Sequence, residues 1–161
     1  MNNLLSRFKP CLAAAFAVAL LAAAGCGSMR KDEGQEKSAK AAAPAKGQTV
    51  KVALSGDKEV PPVQTKATGS GAVTVAPDKS VSGSVTTSGL DGTAAHIHDG
   101  APGKNGPVII PLTKNGNTWS VPANTKLTDE QYKAFQAGNL YVNVHSAANK
   151  GGEIRGNLSP Q

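Results

Sequence analysis

LYVNVHS, residues 140–146, alternates apolar and polar positions, the pattern of a β-strand with one face turned to a core. Side chains two apart on a strand share a face, so Val142 and Val144 point inward together while Tyr141, Asn143 and His145 take the other side. Upstream, AAHIHD (94–99) repeats the logic: Ile97 faces the core, and His96 and His98 project together away from it. These two segments hold all three histidines of the chain. If the strands are neighbours, three imidazoles meet on one patch.

A His-x-His pair with a distant third His can bind copper or zinc, since imidazole suits both. Spacing alone leaves open the alternative of solvated histidines on an exposed strand face. Asp99 follows His98 and Glu153 sits in GEIRG; either could accept a proton from a metal-bound histidine and orient it, or be a surface carboxylate in a turn. Arg155 alternates with Glu153, as the cation of a small polar face or as the partner of a carboxylate. Nucleophilic catalysis finds no support. No G-x-S-x-G occurs, Ser146 beside His145 does not make a triad, and Asp57 and Glu59 before Pro61-Pro62 make no arguable catalytic pair.

Around these two segments the chain from Thr49 onward is built of short runs rich in Val, Ile and Thr. VKVAL (50–54), GAVTVA (71–76), SVSGSVTTSGL (80–90), VIIPL (108–112), NTWSVP (117–122) and GEIRGNL (152–158) all read as strands, separated by the turn signals PDKS, LDGT, KNG and NKGG. Many short strands imply an all-β antiparallel sandwich or barrel. One helix interrupts them at 127–138, LTDEQYKAFQAG: Thr128 and Gln131 form a capping box, Asp129 and Glu130 suit the helix dipole, and Gly138 ends it. Trp119 is expected in the core or at its rim.

The first 48 residues have a different character. MNNLLSRFKP carries Arg7 and Lys9 and no acid, and Cys11 to Ala24 is an apolar run too short to span a bilayer, so residues 1–25 read as a secretory signal peptide. The segment closes with AAGC, which resembles the lipobox of bacterial lipoproteins and implies a lipid on Cys26. Gly27 next to it resembles outer-membrane sorting, with the domain facing the periplasm. Residues 26–48 are charged, Ala/Lys-rich and free of aromatics, the composition of a disordered tether. Residues 49–161 form the domain, which has no cysteine and therefore neither a disulfide nor a thiolate ligand. Cleavage lowers the charge from +6 to +4, since 15 Lys and Arg then face 11 acids, and that is no case for nucleic acid. An exposed sheet edge would suit a homodimer.

LSGDKEVPPVQTKATGSGAVTV (54–75), GLDGTAAHIHDGAPGKNGPVIIPL (89–112), LTDEQYKAFQAGNLYVNVHS (127–146) and GEIRGNL (152–158) together resemble, in order, the segments of the chordin-type (CHRD) domain. A more distant resemblance joins GLDGTAAHIHDGAPG, LYVNVHS and GEIRG to the copper/zinc superoxide dismutases. It implies a Greek-key β-sandwich with one short helix, His96, His98 and His145 as copper ligands, and Arg155 as an anion-guiding residue. The histidine that bridges copper to zinc has no counterpart, and the zinc ligands and the disulfide are missing. The resemblances thus imply a copper-binding module, with dismutase-like redox activity or a role in copper handling. The other reading is an adhesion or protein-binding module whose histidines are incidental.

Overall fold

In the computed structural model, residues 46–160 are described; the expected signal peptide, Cys26 and most of the tether lie outside them. The chain forms β1 (Gln48–Ser55), β2 (Thr68–Val75), β3 (Val81–Ser88), β4 (Gly92–Asp99), β5 (Val108–Pro111), β6 (Thr113–Asn115), β7 (Thr118–Ser120), α1 (Asp129–Gln136), β8 (Leu140–Ser146) and β9 (Ile154–Leu158). Strand order is β5-β4-β8-β9-β1-β2-β3-β7-β6, antiparallel throughout, and the sheet folds over on itself into a nearly closed sandwich. The meander β1-β2-β3 and the return of β9 beside β1 give the Greek-key order. The all-β fold with one short helix is as expected. β1 begins at Gln48, so the domain takes in the last residue assigned to the tether.

Alternation explains most of the strands. Val50, Val52 and Leu54 on β1 are buried while the residues between them are exposed. They join Val73, Val75, Val85, Ile97, Val142, Val144, Ile154 and Leu158 in one apolar cluster, each fully buried side chain stabilising the fold by about 1.5–3 kcal/mol. The two layers meet where Trp119 of β7 lies over β4. A Cβ at Gly92 would stand 2.6 Å from Trp119 Cζ2 and 3.1 Å from Val144 Cγ1, so only glycine permits that approach. Trp119 is buried, as expected of a core residue.

The helix also follows the sequence. Thr128 N–H donates to Gln131 Oε1 (2.9 Å) and Gln131 N–H to Thr128 Oγ1 (3.2 Å), completing the capping box. Leu127 and Phe135 anchor this segment in the core. One strand was not foreseen: β6, in the hairpin around Gly116. Its three residues are all exposed and polar, so pairing with β7, not burial, makes it a strand.

Candidate metal centre

β4 and β8 are adjacent, with His96 opposite Asn143, His98 opposite Tyr141 and Ala94 opposite His145. That register puts His96, His98, Tyr141, Asn143 and His145 on one face. His96 Nδ1 lies 3.0 Å from His145 Nε2, and one nitrogen from each of the three rings falls within 4.8 Å of the others. The convergence required only that these strands pair, and they do.

Each ring is held from behind. His145 Nδ1–H donates to the Lys150 carbonyl (2.9 Å), and His98 Nδ1–H donates to the Gly106 carbonyl (2.9 Å). A nitrogen that donates to a carbonyl leaves its ring partner, Nε2, as the ligand atom. His98 Nε2 is in hydrogen-bond contact with the side-chain amide of Asn143, 2.9 Å from Oδ1. His98 is buried, whereas His96 and His145 are half-buried and leave one side of the cluster open to solvent.

Burial, and then repulsion from His145 and His98, holds His96 below the usual histidine value of 6.5. Burial also lowers His98. Its bonds to Gly106 and Asn143 oppose that shift, while His145 and Arg155 add to it. Neutral rings are therefore favoured at neutral pH, the state in which imidazole binds metal. With three imidazoles and no converging carboxylate, the donor set suits copper or zinc and not the oxygen-seeking calcium or magnesium.

Three expectations are corrected. Arg155 is not an anion guide. Its side chain is 2 % exposed; Nε and Nη2 bond Glu59 Oε2 (3.0 Å each), Nη1 donates to the Lys104 carbonyl (3.0 Å), and Nη2 also donates to Asn105 Oδ1. The guanidinium stacks on Tyr141 at 3.9 Å, and Tyr141 stacks on His98 at 4.7 Å with the rings 5° from parallel. Arg155 thus supports the cluster from below through an aromatic ring, and an anion cannot reach it.

Glu153 does not receive a histidine proton. It accepts from Thr65 Oγ1 (2.8 Å) and from Ser146 Oγ, and those bonds, Ser146 first, hold its carboxyl below the usual glutamate value. Its effect on the site is indirect, through the 146–153 turn that presents the Lys150 carbonyl. Asp99 ends β4 and bonds through its backbone N–H to the Pro107 carbonyl (3.1 Å); the acceptors that orient the histidines are backbone carbonyls, not its carboxylate.

Sequence reasoning passed over Asn143, Tyr141 and Glu59. The strand parity already set Tyr141 and Asn143 beside His145, but as members of a solvated face. The segments around 56–63 and 100–107 cover that face, leaving Tyr141, Asn143 and Glu59 buried.

The family model of the CHRD domain matches residues 50–158, and the chain belongs to that family. No curated protein and no solved structure gives a significant match to it.

Proposed function

We propose that this CHRD-domain protein is a copper-binding module, holding the ion through His96 Nδ1, His98 Nε2 and His145 Nε2. The observation that carries the reading is the convergence of one nitrogen from each ring within 4.8 Å, two of the rings being oriented by backbone carbonyls. Imidazole nitrogens take borderline and soft ions, and the absence of a cysteine or carboxylate in the cluster favours copper handled reversibly over a closed structural zinc site. Bound copper would supply one-electron chemistry; the protein supplies neutral ligands and an open side. The sequence supports placement in the periplasm on a lipid at Cys26, facing in from the outer membrane.

The test is a titration of the metal-stripped full chain in detergent with Cu(I) and Cu(II), in a buffer without Tris and with no histidine tag. One equivalent should bind, and His96→Ala, His98→Ala and His145→Ala should each abolish tight binding. Weak, unsaturable uptake indifferent to these substitutions would sink the copper reading and turn the search to protein partners. A superoxide assay on the loaded protein then separates a redox enzyme from a carrier. With Arg155 sealed in the interior, the carrier is the outcome we expect.

A further inference from the structure

The contact between Asn143 and His98 stands in the way of the function just proposed, and the inference drawn from it rests on that reading. A metal–imidazole bond is about 2.0 Å long, whereas the Asn143 amide already sits 2.9 Å from His98 Nε2. An ion cannot reach that nitrogen along its lone pair until the amide leaves. Asn143 is 1 % exposed, so it cannot swing out to solvent.

A second place for the amide exists beside the first. Glu59 Oε1 is buried with no hydrogen-bond partner among the described residues, although Oε2 of the same carboxylate is bonded to Arg155. A buried carboxylate oxygen without a donor is a standing cost to the fold. Asn143 Nδ2 and Glu59 Oε1 flank Gly152: a Cβ there would lie 2.8 Å from the one and 2.4 Å from the other. Both atoms thus border one small space, which the missing side chain of Gly152 keeps open.

We propose that Asn143 is a two-position amide that competes with the ion for His98 Nε2 and passes to Glu59 Oε1 when the ion binds. The competition lowers the affinity of the three-histidine site by the free energy of the contact, and Glu59 limits the loss by receiving the displaced amide. Apparent affinity falls by the fraction of time the competent arrangement is populated. A site built in this way is suited to releasing its ion. Glu59, far from the histidines in sequence, becomes a positioning residue for metal exchange.

The experiment compares Cu(I) affinity in the wild-type chain and in Asn143→Val, by competition with a colorimetric Cu(I) chelator. Removing the competing amide should tighten binding about tenfold, the worth of one buried hydrogen bond. Binding weakened or unchanged in a folded variant would overturn the proposal, weakening being the mark of Asn143 as a ligand. A readout that needs no variant accompanies it. Cu(I) is diamagnetic, so the Asn143 side-chain amide resonances of the wild-type protein can be followed by NMR through the titration. They should shift to a new position complete at one equivalent, and resonances that stay in place while copper binds would also overturn the idea. Failure of the copper reading looks different, since then neither protein binds an equivalent that His96→Ala removes.

Discussion

Gly152 takes a backbone φ of +130°, which side chains other than hydrogen rarely adopt, and its missing Cβ leaves room for Glu59 and Asn143. Gly152→Ala therefore adds backbone strain to overlap with a locked carboxylate, and should lower stability by about 2–4 kcal/mol, read from urea unfolding. The histidines give a pH dependence of definite sign. His96 and His98 are held below 6.5 in the folded protein, burial being the first cause in each. The unfolded chain therefore binds protons more readily. Their contribution is fully present above pH 6.5 and is lost as pH falls from there through the depressed folded values. With metal removed, urea midpoints should drop between pH 7 and pH 5, and His98→Ala should flatten that limb; a wild-type midpoint that rises on acidification would refute the assignment. At this scale parity was legible, because a strand's two-residue period fixes which side chains share a face. Burial was not. It depends on covering segments that come from elsewhere in the chain.

Elements follow from local chemistry where local chemistry suffices. The helix is one case: Thr128, Gln131 and Gly138 mark its ends within a few residues of each other, and the observed helix falls inside the expected 127–138. Thr128→Ala removes half of the capping box and should cost about 1 kcal/mol, visible as a lower thermal midpoint. Because α1 carries none of the histidines or their hydrogen-bond partners, copper affinity should be unchanged in that variant. β6 is the opposite case. Thr113, Lys114 and Asn115 have no apolar alternation, and their strand exists only through β7. The turn chemistry of KNG was visible in the sequence; the pairing it permits was not.

Over the whole molecule, the ion pair of Glu59 and Arg155 joins residues 96 positions apart and lies 2–3 % exposed. Arg155→Met leaves a buried carboxylate without its cation and should destabilise the fold by about 3–5 kcal/mol. Combining it with Glu59→Leu should recover much of that loss in the same urea measurement, because replacing both charges removes the uncompensated one. The sequence left two roles open for Arg155, and nothing in the alternation of GEIRG could choose between them, since the partner lies in a distant loop. β9, which carries this arginine, has one more consequence. It sits between β8 and β1, so the strands on its two sides, β5-β4-β8 and β1-β2-β3-β7-β6, reach each other through it. A chain that emerges N-terminus first exposes two incomplete half-sheets until residue 158 has appeared, and only then can a single short segment close the seam. Synthesis must run through that strand before there is a folded protein to carry anything.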